Sequence, residues 1–262
     1  RFAGMLAQGG GHDWSPSPRI VPVENALAEL VAPLAASHPV LLLVMDGLSV
    51  SILRELFADL AALSWSEWVR SDLGHALTGV AAFPTVTEVS RASLLAGTVT
   101  TGGSGQEKSA FAAHPALLAH SNASQPPRLF HKGELAEDGS LSSQVRAAIA
   151  DGRQKVVGVV YNAVDDHLAG PDQLHQAWRL EGLRLLMPVL REARDARRVV
   201  IVTADHGHLL EDGTRQSPGS ERDRGGGGSK VASGEEVVRR GPRGVTAAGQ
   251  RSVVGLWGED TR

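Results

Sequence analysis

The chain has 262 residues, a net charge of −3 and 42% hydrophobic residues, which suits one large domain or two small ones with a sizeable core. This slightly acidic balance gives no basic surface of the kind that drives non-specific nucleic-acid binding. The absence of cysteine excludes disulfides and thiolate-bound metals, so Asp, Glu, His and hydroxyl groups are the candidate metal ligands.

The first part of the chain predicts a strand between two helices. Residues 1–20 are rich in Gly, Pro and Ser and are expected to form an extended lead-in. Apolar residues at helical spacing predict a helix over Glu24–Leu34, ended or kinked at Pro33. The uninterrupted apolar run Val40–Met45 is typical of a strand buried on both faces of a parallel sheet. Helical spacing returns over Ser49–Leu63.

The next segment repeats this order of strand, polar turn and helix. Val80–Phe83 is a short apolar run, Pro84–Thr87 contains turn-forming residues, and Glu88–Ala96 has helical spacing. Gly97 stands where a helix commonly ends in a left-handed residue.

Two further apolar runs have the length of buried strands. They are Lys155–Tyr161 and Arg198–Thr203, and each is followed by polar residues. Between them, Pro171–Arg197 predicts a long amphipathic helix with a kink at Pro188.

Repeated strand–helix units predict an α/β fold with an open, mostly parallel sheet and helices on both faces. Ligands of such sheets bind beyond the carboxyl ends of the strands. The Gly-rich stretch at about 213–234 predicts a flexible loop, whose Gly-Gly-Gly-Gly-Ser run (225–229) is either natural or an engineered linker. Residues 235–257 could supply two or three short strands. No apolar run of membrane-spanning length and no signal-peptide stretch occurs, so we expect a cytoplasmic protein without membrane contact.

Three polar residues at the ends of buried strands suggest a cation site. Asp205 and His206 follow one such strand, and a carboxylate beside an imidazole can bind Zn²⁺ or Mn²⁺. The alternative is a surface loop in which Asp205 caps a helix and His206 is solvated. Asp46 ends an earlier strand, where Asp-Gly is also ordinary turn chemistry. Because the carboxyl ends of parallel strands share one edge, we predict that these three residues meet at one cation.

Thr85 and Thr87 lie where a helix is predicted to begin. A hydroxyl there lies beside backbone amides that favour anions, and a cation that ligated it would make it a better nucleophile toward phosphorus. The alternative is that one of these threonines only caps the helix, a role that is compatible with catalysis. Candidate phosphate contacts are Ser90, Arg91 and Lys132.

Asp165, Asp166 and His167 form a second polar cluster after a buried strand. Adjacent carboxylates repel each other unless cations or hydrogen bonds compensate, so we predict a second metal here; the alternative is an exposed acidic turn. The other histidines lack a partner at ligand spacing and are expected to be surface or helix residues: His12, His38, His75, His114, His120, His131 and His175.

The order of these motifs resembles the alkaline phosphatase superfamily, and within it the PglZ domain of the BREX and phage-growth-limitation defence systems of bacteria. The motifs are VLLLVMDGLS (40–49), FPTVTEVSRASLLAGT (83–98), VVYNAVDDHL (159–168) and VVIVTADHGH (199–208). Asp-His-Gly alone is a weak signal, whereas four motifs in the family's order are fairly specific. The resemblance implies that residues 21–262 form an alkaline-phosphatase-like domain, as a fragment of a longer chain.

The resemblance also implies a phosphatase or phosphodiesterase with two metal sites, zinc being favoured over manganese or magnesium. One cation would be held by Asp46, Thr87, Asp205 and His206, and the other by Asp165 or Asp166 with His167. Thr87 would be the nucleophile, with Thr85 as the competing candidate, in an in-line displacement through a covalent phosphothreonine that water hydrolyses. The implied partners are a phosphoester substrate, such as a nucleotide or nucleic-acid phosphodiester, and other defence-system proteins.

Two departures from the family's pattern concern the second metal. The superfamily usually spaces the Asp and His of this motif by four residues, whereas here they are adjacent or two apart. It also takes another His late in the chain, in PglZ-like proteins within a His-Gly-Gly stretch, and no His follows His208. We therefore expect the fragment to end before that motif and the second metal to be weakly held or absent.

Three functions fit this pattern, and a metal-dependent phosphatase or phosphodiesterase is favoured. The alternative is a catalytically weak or inactive docking module within a defence complex, which the missing late His and the Gly-rich stretch motivate. Sulfatase or phosphomutase chemistry on the same fold is the third. A sulfatase needs Cys or Ser at the nucleophile position, so Thr87 and the lack of cysteine argue against it.

Overall fold

The computed structural model describes residues 20–69, 77–162, 164, 178–207 and 251–259, the last range for its backbone alone. All of them belong to one compact unit of the chain, which spans 16–208 and 250–262. The strands are β1 Ile20–Pro22, β2 Val40–Met45, β3 Trp65–Trp68, β4 Thr78–Val80, β5 Arg128–Phe130, β6 Ala136–Glu137, β7 Ser140–Leu141, β8 Val156–Tyr161, β9 Val199–Thr203 and β10 Arg251–Glu259. The α-helices are α1 Ala32–Ala35, α2 Val50–Ala62, α3 Thr87–Ala96, α4 Ser104–Ala113, α5 Pro115–Leu118, α6 Lys132–Leu135, α7 Ser143–Ala150 and α8 Leu186–Asp195.

The main sheet has the strand order β1-β4-β10-β9-β2-β8-β5, and β3 pairs with β10. Strands β9, β2, β8 and β5 run parallel to one another, as β1 does to β4. Strand β10 runs antiparallel to β4, β9 and β3. The prediction of an α/β fold with a mostly parallel sheet is therefore confirmed.

Strand β2 lies at the centre of the fold and is buried on both faces. Leu41 and Leu43 point into one core, which includes apolar residues of α2, α7 and α8. Leu42 and Val44 point into the other core, which includes residues of α3, α4 and the helical segment before β2. Helices thus cover both faces of the sheet, which is why the run reads as continuously apolar.

The parallel strands place their carboxyl ends side by side. Met45 of β2 is in register with Tyr161 of β8, and Val44 of β2 with Thr203 of β9. The residues that follow these strands, beginning with Asp46, therefore emerge at one edge of the sheet, and the amide of Asp46 donates to the carbonyl of Tyr161 at 3.0 Å.

The predicted helix over Pro171–Arg197 is confirmed over α8 and is wrong over the described residues before it. Arg179 is extended, a 3₁₀ turn covers Leu180–Gly182, and α8 begins only after Leu185, which has φ 70°. Pro188 lies in the first turn of α8, where its missing N–H has no intrahelical acceptor to lose. It therefore marks the start of a helix and not a kink within one.

Two other predicted elements shift. The helix expected over Glu24–Leu34 is a 3₁₀ turn at Val23–Asn25, a π turn at Leu27–Val31 and then α1, so helical structure continues past Pro33 to Ala35. The strand expected over Val80–Phe83 instead ends at Val80, because the amide of Ala82 donates to a serine hydroxyl and not to a neighbouring strand.

Several predictions fall on residues that the structure does not describe. They concern the lead-in over 1–20 except its last residue, the flexible loop at about 213–234, and any strand within 235–250. Of the short strands predicted over residues 235–257, the structure describes β10.

Candidate metal centre

Asp46, Asp205 and His206 come together at the carboxyl edge of the sheet. They are buried, with 1%, 0% and 8% of their surface exposed, and one ligand atom from each lies within 4.8 Å of the other two. Gly47 has φ 73°, a conformation that glycine adopts without steric cost, and it turns the chain directly after Asp46. The structure thus brings together residues separated by most of the domain's length.

The two oxygens of Asp46 have different partners. Oδ2 accepts hydrogen bonds from Arg91 at 2.7 Å and from the Asn162 side-chain amide at 2.6 Å. Oδ1 lies 3.3 Å from Nε2 of His206. Protein donors therefore hold one oxygen while the other faces the centre of the cluster.

Asp205 shows the same division. Its Oδ1 accepts from the backbone amides of His206 at 2.9 Å and Gly47 at 3.4 Å, and its Oδ2 lies 3.6 Å from Nε2 of His206. The Ser90 hydroxyl, which is fully buried, donates to the carbonyl of Asp205 and accepts from the amide of Ala82 at 3.0 Å. Its hydroxyl thus holds this loop in place, and its contact with phosphate stays a prediction.

The imidazole of His206 is oriented through its second nitrogen. Nδ1 lies 2.9 Å from the carbonyl of Gly207, an acceptor that requires a proton on Nδ1. In the neutral ring, Nε2 then carries the lone pair and faces the cluster. This arrangement is how proteins commonly fix a metal-binding histidine.

Thr87 joins the cluster and Thr85 does not. Oγ1 of Thr87 lies 2.8 Å from Nε2 of His206 and 3.4 Å from Oδ1 of Asp46, whereas no hydrogen bond links the half-buried Thr85 to these described residues. Helix α3 begins at Thr87 with Val86 as its N-cap. The alternative in which a threonine caps this helix is therefore wrong, because the capping residue is a valine and Thr87 is the first helical residue.

The cluster favours positive charge. Burial opposes ionisation of Asp46, but the hydrogen bond and charge of His206, with help from Arg91 and Thr87, lower its pKa below the ordinary value. Burial raises the pKa of Asp205. Burial also disfavours the charged form of His206, but both carboxylates outweigh it and raise its pKa. The two buried carboxylates thus favour a protonated, positively charged imidazole. A divalent cation at the same place would compensate their negative charge better than this single proton does.

The donor set fits a divalent cation. One oxygen from each carboxylate, one imidazole nitrogen and one hydroxyl converge, which matches the number and kind of ligands that a four-coordinate zinc site takes from oxygen and nitrogen donors. The non-ligating atoms of Asp46, Asp205 and His206 all have protein partners, as ligands of a metal usually do.

The other predicted site residues are only partly described by the structure. Asp165, Asp166 and His167 lie outside the described residues, so the second metal stays a prediction. Lys132 begins α6 and is exposed, and its contact with phosphate also stays a prediction. Arg91 has a guanidinium that binds Asp46 at 2.7 Å and Glu107 at 3.1 Å.

Sequence reasoning missed three residues near the site. Asn162 directly follows β8, so the rule that selected Asp46 could have selected it. Glu107 lies on α4 and is 1% exposed, and His131 lies 3.2 Å from it. His131 is half-buried, whereas His114 is buried, at 7% exposed, so a surface position is wrong for His114.

The comparisons with known proteins identify the family of the chain. The family model described as the BREX system PglZ alkaline phosphatase-like domain matches residues 27–226, and no curated protein matches the chain. Within the described ranges, no helix has both the length and the apolar character needed to cross a membrane.

Proposed function

The chain belongs to the PglZ family of alkaline phosphatase-like domains of BREX systems, and we propose that it is a metal-dependent phosphatase or phosphodiesterase with Thr87 as nucleophile. The family match supplies the defence-system context and the alkaline-phosphatase-like fold. The metal dependence, the reaction and the roles of individual residues are our proposal, as is a cytoplasmic site of action alongside other defence-system proteins.

The position of the Thr87 hydroxyl carries the proposal. Oγ1 lies 2.8 Å from His206 and 3.4 Å from Asp46, two residues of the cation cluster, at the amino end of a ten-residue helix. The Val86 N-cap offers no side-chain acceptor to the first turn. The partial positive charge of this helix end can therefore act on an anion at Thr87.

Each residue has a defined task in this proposal. Asp46, Asp205 and His206 would hold a divalent cation, with zinc favoured over manganese or magnesium. When bound, such a cation lowers the pKa of a ligating hydroxyl and offsets negative charge that develops on phosphate oxygens. Thr87 Oγ1 gives up its proton and forms a bond to phosphorus as the bond to the ester oxygen breaks, and the ester oxygen leaves with a proton as the alcohol. Water then attacks phosphorus and breaks the bond to Oγ1, which takes a proton back, so that a monoester yields phosphate and a diester yields a phosphate monoester.

The substrate is proposed at the level of a phosphoester, including nucleotide and nucleic-acid phosphodiesters. The deep burial of the cluster makes the fixed dipoles and charges around the phosphate effective, because little water screens them. Whether one or two ester bonds of the phosphate are accepted is a question for the assay.

The test compares Thr87→Ala with Thr85→Ala, a matched change two positions away. Protein purified without chelator is analysed for metal content and assayed on p-nitrophenyl phosphate and on bis(p-nitrophenyl) phosphate. We expect Thr87→Ala to lose at least about a hundredfold in kcat while Thr85→Ala retains most activity. Mass spectrometry should find phosphate on the peptide containing Thr87.

Undiminished turnover in Thr87→Ala would remove this residue from the role of nucleophile. Metal-free wild-type protein that neither hydrolyses these esters nor gains activity on addition of zinc, manganese or magnesium would favour the docking-module alternative.

A further inference from the structure

Glu107 is a buried carboxylate outside the cation cluster. It lies on α4 with 1% of its surface exposed. One of its oxygens faces a guanidinium and the other faces an imidazole. Oε1 accepts from Nε of Arg91 at 3.1 Å, and Oε2 lies 3.2 Å from Nε2 of His131. A carboxylate is rarely buried without such partners, because its desolvation is costly.

Arg91 connects Glu107 to the cation cluster. It lies on α3, one helical turn after Thr87, and its side chain is 13% exposed. Its NH1 donates to Oδ2 of Asp46 at 2.7 Å while its Nε donates to Glu107. The guanidinium is planar and rigid, so fixing one edge also fixes the direction of the other.

The contacts of Arg91 and Asn162 with Oδ2 determine which oxygen Asp46 offers. Oδ2 is held by Arg91 and by Asn162, and Oδ1 faces His206 and Thr87. A carboxylate held in this way ligates through a single oxygen. Without the restraint, its two oxygens could rotate to bind a cation together.

Arg91 alone would be a poor restraint at this place. Its side chain has many rotamers, and a guanidinium beside a divalent cation is repelled by it. The negative charge of Glu107 offsets that repulsion and anchors the far side of the guanidinium. The remaining oxygen of Glu107 faces the imidazole of His131 at 3.2 Å without a hydrogen bond, so Arg91 is the main partner of Glu107.

We infer that Glu107 is a positioning residue of the candidate cation site, which holds Arg91 against Oδ2 of Asp46 and so restricts Asp46 to one ligating oxygen. The inference rests on the cation site of the proposed function and adds to it a basis for metal selectivity. Ca²⁺ takes six to eight oxygen ligands and often binds carboxylates through both oxygens. A site limited to one oxygen from Asp46 therefore favours smaller cations with fewer ligands.

The experiment measures binding of Mn²⁺ directly, from the electron paramagnetic resonance signal of the free ion, and binding of Ca²⁺ by competition. The variants are Glu107→Leu, the milder Glu107→Gln, Arg91→Met and the double variant Glu107→Leu/Arg91→Met. Lys108→Met is the control, because Lys108 is the sequence neighbour of Glu107 but forms a partly exposed ion pair with Glu134. Circular dichroism and thermal midpoints establish that each variant is folded. If Glu107→Leu does not fold, Glu107→Gln provides the measurement of metal affinity without the Glu107 charge.

We expect loss of Glu107 to weaken Mn²⁺ binding by about 10- to 100-fold, the range found for residues that orient metal ligands, and to reduce the preference for Mn²⁺ over Ca²⁺. With Arg91 already replaced, removal of Glu107 should add no more than about a twofold change. Lys108→Met should bind Mn²⁺ as the wild type does.

Two results would overturn the inference alone: unchanged Mn²⁺ affinity without Glu107, or the same loss with and without Arg91, which would indicate a long-range charge effect. Wild-type protein that binds no Mn²⁺ would overturn the cation site as well. A protein that binds Mn²⁺ with the expected coupling but hydrolyses no phosphoester would leave the inference intact and contradict the proposed reaction.

Discussion

Replacement of Arg198 by methionine should strongly destabilise the fold. This residue precedes β9, is 1% exposed and donates hydrogen bonds to main-chain carbonyls of five residues. The acceptors are Val40, Ala148, Ile149, Asp151 and Gln154, at distances of 2.6 to 3.3 Å. Two of them lie in the last turn of α7, where helix carbonyls have no intrahelical donor. The guanidinium therefore joins the end of a helix to the start of two neighbouring strands.

The magnitude follows from this set of bonds. Burial lowers the pKa of Arg198 to about 10, with the charge of Asp151 opposing the shift, so the side chain stays protonated at neutral pH. A hydrogen bond that involves a charged group contributes roughly 1.5–3 kcal/mol in mutational series, but such values do not add within one network. Methionine fills a similar volume and leaves the carbonyls without donors in the interior. We expect a loss of about 3–5 kcal/mol, the cost of breaking a buried charged network.

Urea denaturation followed by circular dichroism measures this loss. Arg197→Met is the matched control, since Arg197 is the exposed neighbour and its replacement should change stability by at most about 0.5 kcal/mol. Arg198→Lys should lie between the two, because an ammonium group carries the charge but cannot reach carbonyls in several directions. If Arg198→Met unfolds at the same urea concentration as the control, the bonds do not stabilise the fold as we reason.

Two further predictions concern backbone strain and pH. Gly97→Ala should destabilise the protein by about 2–4 kcal/mol, because Gly97 has φ 72° and an added Cβ would lie 2.2 Å from Nε2 of His114; Gly105→Ala, in open space within α4, should leave the thermal midpoint unchanged or raise it. Burial, with the positive charges of two neighbours, lowers the pKa of His131 from 6.5 to about 4, so the native protein binds fewer protons than the unfolded chain between these pH values and loses stability as pH falls through that window. The loss should reach about 3 kcal/mol and should shrink in His131→Gln, as measured by denaturation from pH 7 to pH 4; an equal loss in that variant would contradict the assignment.

The sequence predicted best those elements whose signal is local. The strand over Val40–Met45 was predicted with its observed bounds, and the other two buried strands were predicted to within one residue. Uninterrupted apolar runs of this length have few alternatives in an α/β fold. Gly97 ends α3 in the left-handed conformation that its position predicted. The error at Pro188 arose because proline suits both the start and the interruption of a helix. The error at Ala81–Phe83 arose because the amide of Ala82 donates to Ser90 of α3, which the apolar run does not reveal.

The candidate site was only partly predictable for a related reason. Residues that directly follow parallel strands, such as Asp46 and Asp205, can be selected from the sequence because the topology places them at one edge. The choice of Thr87 over Thr85 needs the exact start of α3, since Thr87 is its first residue and Thr85 lies before its N-cap. Glu107 and His131 give no local signal, because they become buried only when α4 and the loop after β5 pack near α3.

Because the cluster buries two carboxylates, we predict that removing the charge of one stabilises the metal-free protein and weakens metal binding. Asp205→Asn keeps the shape of the side chain, and its carbonyl oxygen can still accept from the amides of His206 and Gly47. The variant removes the cost of burying a charge at this position and the repulsion with Asp46, and these together outweigh the lost attraction to His206. In the presence of a chelator this variant should therefore be at least as stable as the wild type.

Added Mn²⁺ should reverse that order. A cation at a hundred times its dissociation constant stabilises the wild type by about 2.7 kcal/mol, whereas a variant that no longer binds it gains almost nothing. Denaturation of both proteins with chelator and with Mn²⁺ measures all four values under one set of conditions. If Asp205→Asn is the less stable protein in chelator and gains as much from Mn²⁺ as the wild type, these carboxylates stabilise the fold directly and the cation binds elsewhere. The predicted reversal in the order of stability is expected if burying these carboxylates destabilises the metal-free protein and a bound cation compensates their charge.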